Sequence, residues 1–279
     1  MKEFQDKVVA VTGAASGIGK AIALEFARLG ARLALADIDA EGLGRIEDEI
    51  SAIGCGVYSQ VVDVSVAQQV GDFCDQTYRE MGRVDILCNN AGCAVFGLVE
   101  EVGLEDWEWI LGVNLWGVIY GCHYFYPRMI AQGGGGHIVN TASAAALGSL
   151  AMQAPYCCTK YGVRALSESM RGEAALHGIG VSTICPGFVT TNIASTMKWC
   201  IKTEPSKKKQ LMERSQRLLR WRNYPPDRVA SAVRKAVERN SVVVTVGPEA
   251  HLLDIVNRLS RTISYRWLRS NVKWLRRLF

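Results

Sequence analysis

Short runs of β-branched and aliphatic residues recur along the first 250 positions, separated by longer stretches whose apolar residues fall at helical spacing. Residues 8–11, 32–36, 55–64, 84–88, 137–140, 181–185 and 242–246 are such runs. A strand that is apolar on both faces belongs in a parallel sheet covered on both sides. The stretches between supply the cover. An apolar-periodic helix runs to Leu29, a polar one follows residue 64 with Asp72, Asp75, Arg79 and Glu80 outward, and longer ones span 106–131 and 156–176. This alternation predicts an α/β fold, doubly wound, with seven parallel strands and helices on both faces. Residues 188–226 have no single period. Beyond Pro248, Leu252, Ile255, Val256, Leu259 and Ile263 recur at helical spacing, and Trp267, Leu268, Trp274, Leu275, Leu278 and Phe279 follow. One amphipathic helix is expected over 251–279.

At 279 residues, with 49% apolar and 21% charged positions, the chain has ordinary globular composition and length enough for one large domain over 1–250. Residues 1–7 are polar, so no secretory signal is expected, and no stretch approaches the ~18 uninterrupted apolar residues of a spanning helix. The nine cysteines form no C-x-x-C pair and often sit in apolar surroundings, as Cys88 and Cys185 do. Reduced thiols in a cytoplasmic compartment explain them better than disulfides or zinc. His123, His137, His177 and His251 lack ligand spacing, and no metal is expected.

Charge changes the picture more. Residues 1–197 carry 12 Lys/Arg and 21 Asp/Glu, net −9, whereas residues 198–279 carry 20 and 6, net +14. Arg258, Arg261, Arg266, Arg269, Lys273, Arg276 and Arg277 lie between the apolar positions of the tail. A basic amphipathic helix with tryptophans suits peripheral contact with an anionic membrane. Packing on a partner subunit or over the cleft is the equal alternative. No specific nucleic acid is expected, because a basic patch alone is non-specific.

Two short motifs carry the candidate chemistry. Pro155 suits the first turn of a helix, and that helix presents Tyr156 and Lys160 four residues apart on one face. A free tyrosine titrates near ~10. An ammonium ~4 Å away at an effective dielectric near 20 favours the phenolate by roughly 4 kcal/mol, or about three pH units. That predicts a general acid/base near working pH. Ser143, just after a β-run, is placed to hold a substrate oxygen. The second motif, Thr12-Gly13-Ala14-Ala15-Ser16-Gly17-Ile18-Gly19, leads a strand into a helix. Its glycines let backbone turn and approach a pyrophosphate. Asp37 ends the second run, where a carboxylate accepts from the adenosine ribose hydroxyls and repels a 2′-phosphate. The loop has no Arg or Lys before Gly19, so NAD is expected over NADP. Capping the next helix is the other role open to Asp37.

With these residues the chain resembles the short-chain dehydrogenase/reductase family, of single-domain type. Thr12-Gly13-x-x-x-Gly17-x-Gly19, Asp63-Val64, Asn89-Asn90-Ala91-Gly92, Asn114, Ser143, Tyr156, Lys160 and Pro186-Gly187 run in family order at family spacing across residues 6–250. The resemblance implies a Rossmann-like oxidoreductase working as a homodimer or homotetramer, with Asn114, Ser143, Tyr156 and Lys160 as its catalytic set. It implies cofactor contacts from Gly13, Ser16, Gly17, Ile18, Gly19, Asp37 and Ile38, and from Asp63 and Val64 at the adenine. Asn90, Ala91, Gly92, Tyr156, Lys160, Pro186, Gly187, Val189 and Thr190 complete that set. Asn114 is implied to break its helix and hold a water touching Lys160. A structural role and a cofactor contact stay equally open for Asn89. A mobile substrate lid is implied at 188–226, carrying Met197, Trp199, Leu211, Met212, Leu218, Leu219 and Trp221.

Around Ser143 the lining candidates are apolar: Cys93, Ala94, Val95, Phe96, Leu147, Leu150 and Met152, joined by Met197 from the lid. An apolar cleft with few polar fixings suits a hydrophobic secondary alcohol or ketone, steroid-, retinoid- or lipid-like. Hydride transfer between NAD(H) and such a substrate is the expected function, in the cytoplasm or peripherally on a membrane surface. An NADP-dependent ketoreductase of small polar carbonyls and an idle nucleotide-sensing scaffold are the alternatives, because a fold does not fix its function.

Overall fold

The computed structural model describes the backbone of residues 1–191 and 193–276. It describes the side chains of that range apart from 194, 195, 215, 216, 218–222 and 271–276. The seven apolar runs become β1 (Val8–Thr12), β2 (Arg32–Asp37), β3 (Val57–Val61), β4 (Ile86–Asn89), β6 (Gly136–Thr141), β7 (Ile179–Pro186) and β9 (Val243–Val246). All join one parallel sheet in the order β3-β2-β1-β4-β6-β7-β9. β1 lies between β2 and β4 with all five residues buried, which is why its sequence does not alternate. The chain winds outward from β1 to β3 and then crosses back to place β4 on the other side of β1, so the winding reverses between β1 and β4. Ligands of such sheets bind in the crevice that this reversal leaves at the carboxyl ends of the strands.

Helices cover both faces. On one, α1 (Gly17–Ala27), α2 (Ala40–Ile53) and α9 (Pro226–Arg239) bury Ile22, Phe26, Ile46, Ile50, Val233 and Val237. On the other, α3 (Ala67–Met81), α5 (Gly117–Gln132) and α6 (Ala154–Ala175) bury Phe73, Phe125, Met129 and Val163. Each such side chain contributes about 1.5–3 kcal/mol by leaving water. Local chemistry sets the ends. Asp39 caps α2 by accepting from the Gly42 N–H at 3.0 Å, and Gly54, at φ 89°, closes it in the left-handed region.

Two local expectations gain detail, the long helix and the aperiodic stretch, and two are corrected, the third strand and the tail. The long helix expected over 106–131 is present over residues 104–132, but α4 (Leu104–Leu111) passes into α5 through a π-helical turn, Gly112–Trp116. The third strand is shorter than residues 55–64, because Asp63 folds the chain away from the sheet. Its Oδ1 accepts from the Ser65 N–H (2.9 Å) and hydroxyl (2.7 Å). The tail is two helices, α10 (Pro248–Leu259) and α11 (Arg261–Arg276), broken at Ser260 in extended conformation. The aperiodic stretch 188–226 contains α7 (Ile193–Thr196), β8 (Lys198–Trp199) and α8 (Pro205–Arg222). β8 pairs in parallel with β5 (Val95–Phe96) as a separate two-stranded ribbon.

Candidate active site

The turn between β1 and α1 is shaped by what it excludes. Gly13 and Gly17 have φ of 67° and 54°, where a side chain is disfavoured. A Cβ on Gly13 would lie 2.7 Å from the Ala91 Cα, and one on Gly19 only 1.9 Å from the Gly13 carbonyl oxygen. Ser16 precedes α1 without capping it, so the helix start keeps the amide-rich, positive character that anions seek. Backbone unobstructed by side chains at the start of an eleven-residue helix fits a dinucleotide's pyrophosphate.

Neighbouring strand ends lock this turn. The Asn90 and Ala91 N–H groups donate to the Thr12 hydroxyl oxygen at 3.0 and 3.1 Å. Asn90 Nδ2 donates to the carbonyls of Thr12 (3.1 Å) and Gly13 (3.4 Å), and its Oδ1 accepts from the Thr141 hydroxyl at 3.4 Å. Asn90 thus ties together the ends of β1, β4 and β6. Asn89 points elsewhere: it is buried and donates to Asn140 Oδ1 at 2.9 Å, which favours its structural role. Asp37 does not cap α2, since Asp39 does. Its oxygens accept from the Ala15 N–H (2.9 Å) and the Asp39 N–H (3.1 Å), bracing the glycine loop, beside an exposed Ile38. Asp63 and buried Val64 lie at the next strand end.

At the carboxyl end of β6, the Ser143 side chain accepts from the Ala145 N–H at 3.2 Å and lies close enough to the Tyr156 hydroxyl to ease its deprotonation. Lys160 is buried, with Nζ donating to the Thr141 carbonyl at 3.0 Å and lying 5.7 Å from the Tyr156 ring centroid. The three groups expected to act together do meet. Their titration differs from expectation, however. Burial pushes the Tyr156 phenol up to about 12 and outweighs the neighbouring Ser143 hydroxyl, which pulls it down. Burial also draws Lys160 down to about 8. In the chain alone, then, desolvation prevails over the ammonium's attraction, because the ammonium is turned to Thr141 and is desolvated too.

Asn114 is fully buried in the π-helical turn. Its Oδ1 accepts from the Cys93 N–H at 2.8 Å, and its Nδ2 donates to the Cys93 carbonyl at 2.9 Å and to Thr159 Oγ1 at 3.3 Å. Gly92 fits between the Asn114 amide and the ammonium: a Cβ there would be 3.3 Å from Asn114 Oδ1 and 3.4 Å from Lys160 Nζ. The expected break in the helix is present, and π-turns of this kind concentrate at functional sites.

On the open side, Pro186 ends β7, Gly187 N–H bonds the Val246 carbonyl (2.8 Å), Val189 is buried and Thr190 N–H bonds the Tyr224 carbonyl (2.9 Å). Cys93, Ala94, Val95, Leu147 and Met152 are buried, while Phe96, Leu150 and Met197 are half-buried. Phe96 packs on Trp199 with ring centroids 4.9 Å apart. The side chains of Leu218, Leu219 and Trp221 lie outside the described residues. Thr12 had only its place in the loop motif to mark it. Its partnership with Asn90 depends on β1 lying beside β4, 78 residues away.

A family model described as short chain dehydrogenase matches residues 7–199. The chain belongs to the short-chain dehydrogenase/reductase family. The family match takes in the glycine loop, Asn114, Ser143, Tyr156, Lys160 and β8, and stops before α8. Among relatives of this short-chain dehydrogenase/reductase, a probable oxidoreductase EphD of Mycobacterium tuberculosis is 38% identical over 257 residues, covering 92% of this chain and 43% of that protein. The chain therefore spans less than half of that relative. A putative oxidoreductase SadH of the same organism is 33% identical, with 93% and 92% covered. The crystal structure of a short-chain dehydrogenase/reductase from Burkholderia phymatum in complex with NAD superposes with a TM-score of 0.85 at 33% identity, covering 92% of this chain and 95% of that one.

Proposed function

We propose that the protein is an NAD(H)-dependent oxidoreductase interconverting a hydrophobic secondary alcohol and its ketone, of steroid-, retinoid- or lipid-like character. One observation carries the reading: the Tyr156 hydroxyl, the Ser143 side chain and the Lys160 ammonium meet at the carboxyl edge of the sheet, beside the glycine loop. A nicotinamide cofactor, when bound, supplies the hydride chemistry. The chain's own residues handle proton and placement. Tyr156 gives its proton to the carbonyl oxygen in reduction and takes the hydroxyl proton in oxidation. Ser143 holds the same oxygen. Lys160 places a cation behind the phenol and binds the nicotinamide ribose, and Asn114 supports a proton path through water beside Lys160.

In this reading Gly13, Ser16, Gly17, Ile18 and Gly19 hold the pyrophosphate, Asp37 and Ile38 the adenosine ribose, and Asp63 and Val64 the adenine. Asn90, Ala91, Gly92, Pro186, Gly187, Val189 and Thr190 hold the nicotinamide half. Residues 1–250 act as one dinucleotide-binding domain with 188–226 as its substrate lid. Exposed Trp116, stacked on Tyr120 at 5.5 Å, and exposed Tyr161 offer apolar surface for a homodimer or homotetramer. NAD is favoured over NADP because a carboxylate at the carboxyl end of β2, Asp37, suits ribose hydroxyls and repels a 2′-phosphate. The nearby cations are also already paired, Lys20 with Glu49 (2.6 Å) and Arg45 with Asp39 (3.8 Å) and Glu41 (3.6 Å). Absorbance at the NADH band with a panel of lipophilic alcohols and ketones tests the reading. Turnover is expected with NAD, with kcat/KM about 10–100-fold above that with NADP, the equivalent of the charged ribose hydrogen bonds. A preference for NADP and small polar carbonyls would replace the reading, and binding without turnover would leave a nucleotide-sensing scaffold.

The tail supports peripheral contact with an anionic membrane. No helix among the described residues is long and apolar enough to cross one. The inner face of α10 packs on the body: Ala250 is buried, Leu253 lies against Gly148, and Asn257 Nδ2 donates to the Leu147 carbonyl at 2.7 Å. The other face exposes Leu252 (62%) and Leu259 (79%), and α11 adds exposed Ile263 and Trp267 beside exposed Arg261, Arg266 and Arg269. Cations interleaved with exposed apolar side chains suit anionic lipid headgroups. The side chains of Lys273, Trp274, Leu275 and Arg276, and residues Arg277, Leu278 and Phe279, lie outside the described residues. Reversing Arg266 and Arg269 to glutamate is expected to reduce co-sedimentation with anionic vesicles by about tenfold or more, at up to ~1 kcal/mol per cation. Absence of vesicle binding by the full-length protein would refute the membrane contact, and equal binding to neutral vesicles would refute its dependence on charge.

A further inference from the structure

Asp106 stands in the first turn of α4, and both of its carboxylate oxygens are engaged by the segment that follows α7. Oδ1 accepts from Lys198 Nζ at 2.9 Å, and Oδ2 accepts from the Cys200 thiol at 3.2 Å. The same ammonium lies 4.2 Å from the centroid of the Trp109 ring, on the next turn of α4. Lys198 and Cys200 flank Trp199, and their amides make the ribbon: Lys198 N–H donates to the Ala94 carbonyl (3.0 Å) and Cys200 N–H to the Phe96 carbonyl (2.8 Å). Two bonds between two-residue strands do not hold in water by themselves, since even a full hairpin is marginal there. Carboxylate, ammonium, thiol and indole supply what the ribbon lacks. They do so next to the candidate site, because Val95 and Cys200 pack in the apolar cluster that includes Tyr156.

We propose that Asp106 is a positioning residue that clasps β8 to α4 and so fixes the Phe96–Trp199 pair as one wall of the substrate cleft. The wall's role in substrate choice rests on the dehydrogenase reading; the clasp does not. An aromatic pair fixed in this way contacts the apolar body of a substrate and leaves its reacting oxygen to Ser143 and Tyr156. Releasing the pair should therefore weaken capture of bulky substrates and leave the chemical step alone. Isolated surface ion pairs often contribute nothing measurable. Asp106 differs in being 19% exposed and in binding two partners at once.

The test uses full-length Asp106→Asn, Lys198→Met and Lys198→Arg proteins, read by amide hydrogen exchange and by kinetics on long- and short-chain secondary alcohols. In Asp106→Asn and Lys198→Met, exchange at the Lys198 and Cys200 amides should rise about tenfold, the signature of local opening. KM for the bulky alcohol should rise about tenfold, with kcat and the short-chain KM within about twofold. Lys198→Arg keeps the charge pair and should behave as the unaltered protein. Unchanged exchange in both disrupting variants would overturn the clasp. Faster exchange with no split between bulky and short substrates would overturn the wall. If Asp106→Asn does not fold, the contrast between Lys198→Met and Lys198→Arg decides. An unaltered protein that turns over no alcohol removes the dehydrogenase reading and the wall with it, while the exchange result still judges the clasp.

Discussion

Replacing Tyr156 with phenylalanine is expected to lower kcat by about 10²–10⁴-fold, the usual contribution of a positioned general acid/base. The cofactor dissociation constant should stay within about twofold, since loss of a group acting on the proton leaves nucleotide binding untouched. The substitution is clean because the ring itself is structural: it packs with Cys93, Val95 and Ile110, and a phenyl ring keeps those contacts. Only the hydroxyl and its interaction with Ser143 are lost. The pH dependence separates this role from a packing role. Burial holds the phenol's pKa at about 12 in the chain alone, so the proton-donating form needed for reduction is present throughout ordinary assay pH. Oxidation needs the deprotonated form, so its rate should climb as pH rises, and the variant should lose that climb along with its rate. A variant that kept near-full activity, or the same climb, would end the assignment.

What the sequence made legible was what depends on neighbours along the chain. The glycine loop, Pro155 at a helix start and the four-residue step from Tyr156 to Lys160 are local patterns, and the structure brings their chemistry to one edge of the sheet. The buried strands were readable because a parallel sheet needs apolar residues on both faces, so position and composition agree. Features set by distant contacts were not readable. The Tyr156 titration depends on how much of the chain closes over it, and a pair energy between two helix neighbours says nothing of that. Thr12 holds Asn90 and Ala91 only because β1 and β4 are adjacent. Asn114 stood out as a poor helix former, but the partner that anchors it through two hydrogen bonds, Cys93, lies 21 residues back along the chain. A two-residue ribbon such as β5–β8 leaves no period to detect, and the break at Ser260 carries no glycine or proline to announce it.

Alanine at Gly19 is expected to weaken NAD binding by at least about 100-fold, because this position leaves no space for any side chain. Its Cβ would sit 1.9 Å from the Gly13 carbonyl oxygen, 2.6 Å from the Gly13 carbonyl carbon and 2.7 Å from Asn90 Nδ2. Two of those atoms are backbone and cannot swing aside, so the loop must move. Moving it pulls on the bonds from Asn90 to the Thr12 and Gly13 carbonyls, which fix the turn against β4. Overpacking of this sort costs about 1–3 kcal/mol of stability, enough to lower Tm while leaving a folded protein. Binding suffers more than folding, because the displaced backbone is the surface meant to meet the pyrophosphate. Gly44 supplies the control: it lies within α2, and a Cβ there meets nothing within 4 Å. Alanine at Gly44 should leave cofactor affinity unchanged and raise stability by up to ~1 kcal/mol through helix propensity. Titration of NADH fluorescence against both variants checks the pair. Equal affinity in the two would show that the turn between β1 and α1 does not carry the nucleotide.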